Sequence, residues 1–151
     1  MPRMRDCRLV YMDVETTVLS LAMGNRVVKI GPLVHEGRRD RTFSRLVNPG
    51  IAIPPVVRQI HCISNADVAD CPAFHEIADE VAAILDGAWP VGHNLRFDLG
   101  FVAMELALAG VCAQPAGCPD TCQLVRAVWE LPDYRLDALA RVLGIRAKCR
   151  T

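Results

Sequence analysis

Aromatic residues are scarce in this chain: two Trp, two Tyr and four Phe make up 5% of its 151 residues. A core must therefore be built mainly from aliphatic side chains, and 52% of the residues are hydrophobic, enough for a sizeable one. Net charge is also missing, with 17 basic and 17 acidic residues. That excludes whole-molecule attraction to a polyanion as the organising force, although an acidic site can offset a basic groove. Arginine far outnumbers lysine, which we read as a trace of GC-rich coding rather than of phosphate binding. No apolar run reaches membrane-spanning length, and none of signal-peptide length precedes Asp13. The expectation is a cytoplasmic protein with no membrane partner. The seven cysteines are odd in number and irregular in spacing. Cys118 and Cys122 would lie one helical turn apart with Cys112 nearby, but no Cys-x-x-Cys pair and no neighbouring His completes a zinc set. Reduced, mostly structural thiols are expected. Repeats, low-complexity stretches and linkers are absent, and the length suits a single domain over 1–151.

What is present divides the chain in two. The first third is strand-rich: an apolar run Leu9-Val10-Tyr11-Met12, then Arg26 to Val34, then Arg41 to Val47, with Glu36-Gly37-Arg38-Arg39 as a turn. This predicts a three-strand antiparallel meander ended by Asn48-Pro49-Gly50. Pro54-Pro55 opens a short helical stretch leading to Ile60-His61-Cys62-Ile63. Helical spacing of Phe74, Ile77, Ala78, Val81, Ala82, Ile84 and Leu85 follows, and Gly87 ends it. Trp89 to Gly92 reads as a short strand. Further helices are predicted from about Arg96 to Ala109, with Phe97, Phe101, Met104 and Leu108 on one face, from Thr121 to Leu131, and over Leu136 to Leu143. Strands first, then helix, strand and helices predict an α/β fold with a mixed sheet.

Two carboxylates stand at the end of the first apolar run, in Asp13-Val14-Glu15-Thr16-Thr17. Side chains alternate along a strand, so Asp13 and Glu15 share a face while Val14 takes the other. Their mutual repulsion is tolerable around a hard divalent cation such as Mg²⁺ or Mn²⁺. A second motif, Gly92-His93-Asn94-Leu95-Arg96-Phe97-Asp98-Leu99-Gly100-Phe101, places Asp98 in the first turn of a helix after a short strand. There it also suits the helix dipole without any metal. Ligands of open α/β sheets gather at strand ends and helix starts, where Asp13, Glu15 and Asp98 can converge.

These motifs, with Val47-Asn48-Pro49, Ile60-His61-Cys62-Ile63, Asp120-Thr121 and Leu136-Asp137-Ala138-Leu139 in the same order, make the chain resemble the DnaQ-like (DEDD) 3′–5′ exonucleases of ribonuclease H-like fold. The proofreading epsilon subunit of DNA polymerase III is a member of that family. The resemblance covers nearly the whole chain. It implies that Asp13, Glu15 and Asp98 ligate two Mg²⁺ or Mn²⁺ ions, with Asp13 bridging. One ion would lower the pKa of an attacking water and the other would stabilise the leaving 3′ oxygen. It further implies that the backbone at Thr16 and the side chains of Leu19, His61, Asn94 and Phe97 hold or wedge the terminal nucleotide. Leu19 and Phe97 also suit an ordinary core, Asn94 a helix cap and His61 a structural hydrogen bond.

The chain departs from the family where its third motif belongs. The resemblance calls for a general-base His and a fourth metal-binding Asp after the Leu136–Leu143 helix, yet no His follows His93. Asp120 and Asp137 match positions that are not ligands. The family's final helix is expected to be truncated, with apolar surface exposed in its place. Val18 replaces a Gly, Lys29 a Glu and Cys62 a Gly, and Pro32 falls within the second strand. A β-branched Val18 is expected to strain a turn that wants positive φ. The implied activity is a metal-dependent 3′–5′ exonuclease domain, C-terminally incomplete and impaired. Its expected partner is a single-stranded or frayed 3′ end of DNA in replication or repair, with RNA also open and a DNA polymerase subunit as a further partner. The alternative is a non-catalytic remnant or binding module for such ends or for a polymerase.

Overall fold

A computed structural model describes residues 3, 6–18 and 24–145. Leu19 lies outside the described residues, as does the chain beyond Ile145. The elements are β1 (Leu9–Tyr11), β2 (Val14–Thr16), β3 (Val27–Ile30), β4 (Leu33–Glu36), β5 (Arg39–Thr42), β6 (Arg45–Leu46), α1 (Pro55–His61), α2 (Asn65–Val68), α3 (Phe74–Leu85), β7 (Trp89–Val91), α4 (Leu95–Leu108), α5 (Thr121–Val128) and α6 (Leu136–Val142). This is the mixed α/β architecture that the sequence predicts.

The meander forms, but each of its three long strands is broken in two. β5, β4, β1 and β7 make one sheet, antiparallel except for the parallel β1–β7 pair. β2, β3 and β6 make an antiparallel second. The breaks fall at Met12-Asp13, Gly31-Pro32 and Phe43-Ser44. Pro32 has no N–H to give a ladder, but its carbonyl accepts from Phe43 N at 2.9 Å. The Gly31 N–H donates to the Asp13 carbonyl at 3.1 Å, and Met12 N donates to the Val91 carbonyl at 2.9 Å. Asp13 therefore occupies the break itself, held by neighbours on both sides, rather than the interior of one continuous strand.

The main core joins Val10, Met12, Val14, Val27, Ile30 and Val34 to α3 and α4 through Phe74, Ile77, Val81, Leu85, Phe101 and Val102. A smaller cluster of Val28, Ile53, Val57, Ile63 and Val68 lies under α1 and α2. The sequence reading omits α2, whose Ser64/Asp67 capping box is nevertheless a sequence signal. It also extends α5 to Leu131, where the helix stops at Val128. The face assigned to α4 is shifted: Leu108 is exposed, and the buried stripe is Leu95, Asp98, Phe101, Val102, Glu105 and Leu106. Two carboxylates on that stripe break its apolar periodicity. The six described cysteines are all unpaired, and none is fully buried; Cys71 packs against the smaller cluster.

Candidate active site

Asp98 is the buried centre of the site, 8% exposed in the first turn of α4. Its Oδ1 accepts the Val14 N–H at 3.0 Å, tying the helix start to the strand that carries Glu15. Burial, foremost, and the nearby charges of Asp13 and Glu15 push its pKa from 3.8 up to about 6, against the stabilising bond from Val14. The three carboxylates thus meet electrostatically. Burial alternates along the chain as strand geometry requires, with Met12, Val14 and Thr16 inside, Asp13 exposed and Glu15 half-buried. Asp13 and Asp98 line a cavity of about 330 Å³ with Tyr11, His93 and Leu136. Glu15 lines a smaller depression of about 60 Å³ with Thr16, Val57, His61 and Phe97. Among the described residues no three His, Cys, Asp or Glu side chains form a ready metal-holding cluster. The donor chemistry still fits a hard dication: oxygen ligands, one buried and disfavoured as an isolated anion.

His61 ends α1. Its Nδ1 accepts the Ile63 N–H at 3.0 Å, which leaves the ring proton on Nε2. That atom is buried with no hydrogen-bond partner, on the ring that lines the depression beside Glu15. A buried donor without an acceptor is costly, which points to a ligand oxygen. Phe97 serves both readings: half-buried against the core, with its ring 5.1 Å from that of Phe101, it also lines the same depression. The Thr16 hydroxyl donates to the Val18 carbonyl, and the β2–β3 register shifts between Glu15 and Thr16. Such irregularities re-aim backbone groups beside sites.

Asn94 does not cap α4 through its side chain. It takes a left-handed conformation, φ 63°, and its backbone N–H donates to Asp120 Oδ1 at 3.0 Å. Asp120 also accepts from Cys122 N at 2.9 Å and so caps α5, a structural role. Val18 is not among the described residues with positive φ, so the strain expected there is not found. Cys62 is among them, at φ 59°. The sequence assigned no role to His93. Its ring bridges Thr121 Oγ1 at 3.1 Å and the Tyr134 carbonyl at 2.6 Å, joining the cavity wall to the segment before α6. The second contact requires a proton on Nε2. Only its place in the Gly92–Phe101 motif hinted at this.

Carboxylates at a strand break and a helix start define the class: a mixed α/β protein with an acidic candidate site where ligands of such sheets gather. The profile of the exonuclease family RNase_T matches residues 10–148. The chain is 39% identical over 141 residues to the 3′-5′ exonuclease DinG of Bacillus subtilis, covering 92% of this chain and 15% of that protein. It is 32% identical over 144 residues to the DNA polymerase III subunit epsilon of Rickettsia conorii, covering 91% of this chain and 63% of that protein. The fold is similar to that of exonuclease X, solved in complex with 5′ overhanging duplex DNA (TM-score 0.69, 24% identity, 93% of this chain and 75% of that one). It is also similar to exonuclease I (TM-score 0.78, 16% identity, 93% and 36%). The chain belongs to the RNase_T exonuclease family. It spans less than two thirds of the length of either relative compared by sequence.

Proposed function

We propose that this chain is a metal-dependent 3′–5′ exonuclease domain over residues 1–151 that acts on the 3′ end of DNA in replication or repair. The observation that carries the reading is buried Asp98, bonded to the strand of Glu15 and crowded by the charges of Asp13 and Glu15. Asp13, Glu15 and Asp98 would hold two Mg²⁺ or Mn²⁺ ions, which supply water activation and leaving-group stabilisation when bound. The orphaned Nε2–H of His61 donates to the terminal nucleotide. Phe97 presents its ring to that nucleotide, and the backbone at Thr16 and exposed Asn94 line its approach. The name of the DinG relative, a 3′-5′ exonuclease, supports the polarity, and that of the DNA polymerase III subunit epsilon supports a setting in replication.

Within these 151 residues no imidazole follows His93. Both nitrogens of His93 are engaged, with Thr121 and Tyr134. A general base contributes roughly 10²- to 10⁴-fold. The polypeptide of these residues is therefore proposed to trim DNA slowly, and the binding-module reading shares its site. The test is a 3′-labelled single-stranded oligonucleotide with Mn²⁺, with Asp13→Ala as control. Slow trimming lost in the control supports the reading. Binding of the oligonucleotide without trimming favours the module. Neither trimming nor binding would overturn both, and fast trimming would overturn the proposed impairment.

A further inference from the structure

Glu105 is 1% exposed and lies two turns beyond Asp98 on the same face of α4. Burying a carboxylate there requires partners, and it has three contacts. Its two oxygens form a bidentate pair with Arg26, Nε to Oε1 and Nη2 to Oε2, both at 2.8 Å. Oε1 also accepts the Val27 N–H at 3.0 Å. Asp98 and Glu105 thus perform matching acts: each takes a backbone N–H from one strand of the β2–β3 hairpin, Val14 on one side and Val27 on the other. Arg26 passes the constraint on. Its N–H donates to Thr17 Oγ1 at 3.0 Å, and its carbonyl accepts from Thr17 N at 3.0 Å. Thr17, 1% exposed, directly follows Val14-Glu15-Thr16, which wall the depression containing His61 and Phe97.

We propose that Glu105 is a positioning residue for the 3′-terminal nucleotide: through Arg26 and Thr17 it holds the Thr16–Thr17 backbone in register against that nucleotide. This rests on the exonuclease reading of the site. Asp98 ties the Val14 end of β2 to α4 without Glu105, and the Gly31 N–H holds the Asp13 carbonyl, so Glu105 acts on nucleotide binding rather than on the cations.

The test compares wild type, Glu105→Gln and Thr17→Val. Glutamine retains an oxygen for the Val27 N–H but loses the ion pair, and valine keeps the shape of Thr17 while removing the acceptor of Arg26 N. Two affinities are measured: for Mn²⁺ alone, and for a fluorescent single-stranded DNA with a 3′-hydroxyl end in Ca²⁺. Both variants are expected to bind DNA roughly tenfold more weakly and Mn²⁺ within about twofold of wild type, since small misplacements act on the oriented ligand. Unchanged DNA binding, or equal loss of both affinities, overturns the proposal. If Glu105→Gln does not fold, Thr17→Val decides alone. Wild type that fails to bind DNA overturns this proposal together with the proposed function, whereas DNA binding that survives both substitutions overturns this one only.

Discussion

Asp98 pays for its position in the absence of a cation. Its folded-state pKa of about 6 exceeds the unfolded value near 3.8, so the folded state binds its proton more tightly. The stability that this proton contributes is fully present below about pH 4 and is lost as the pH rises through about 6. Two units correspond to at most about 3 kcal/mol. Asp98→Asn keeps an acceptor for the Val14 N–H and cannot ionise. In chelator, the melting temperature of Asp98→Asn is expected to gain on wild type between pH 4 and 7 and to stay ahead above it. Melting curves across that range check this, and a constant gap would refute it. Cys62 offers a second case. At φ 59° a side chain costs about 1–2 kcal/mol, so Cys62→Gly is expected to stabilise the fold by about 0.5–1 kcal/mol in urea titration, after the entropic cost of glycine. At this scale the nearness of Asp13, Glu15 and Asp98 was legible from strand parity and a helix first turn, while their proposed role as ligands rests on the family resemblance. Glu105 was not, because a buried acid is indistinguishable from a surface one until Arg26 is seen beside it. The role of His93 depends on the carbonyl of Tyr134, which has no sequence signature.

The elements follow from periodicity where one face is apolar. α3 matches its expected bounds because every buried position is hydrophobic. α4 was found in extent but turned on its axis, since Asp98 and Glu105 occupy the buried stripe and Leu108 the exposed side. The strand breaks were harder to foresee. Pro32 marks one, but its alignment with Asp13 and Phe43 is a property of the paired strands, not of any one of them. The connection from α4 to α5 has no periodicity at all and is placed by its contacts with Gly87 and Ala88, just before β7. Ala116 N donates to the Ala88 carbonyl at 2.7 Å, and Gly87 N to the Gln114 carbonyl at 2.9 Å. This brings Gly117 onto the Trp89 ring, where a β-carbon would lie 2.4 Å from the ring edge. Gly117→Ala is therefore expected to force the connection off β7 and cost about 1–3 kcal/mol, read by chemical denaturation and a change in Trp fluorescence. An unchanged midpoint would show that the ring yields freely.

At the scale of the whole molecule, apolar surface concentrates at the α5–α6 end. Leu124, Val128 and Trp129 are exposed there, as are Leu136, Val142, Leu143 and Ile145, with Val128 at 70%. Helix α5 has no fully buried residue, although its sequence is amphipathic. Neutral overall charge provides no long-range repulsion to keep copies apart. Patches of this kind favour association, so the polypeptide of these residues is expected to self-associate as its concentration rises. Leu124→Glu with Val128→Glu should reduce that association without lowering the melting temperature, because both side chains are already in water. Sedimentation velocity over a wide concentration range, with melting curves in parallel, checks both halves. A strictly monomeric wild type would mean that the exposed residues are too dispersed to act as one surface. A large loss of stability in the double variant would mean that they contribute to packing despite their exposure.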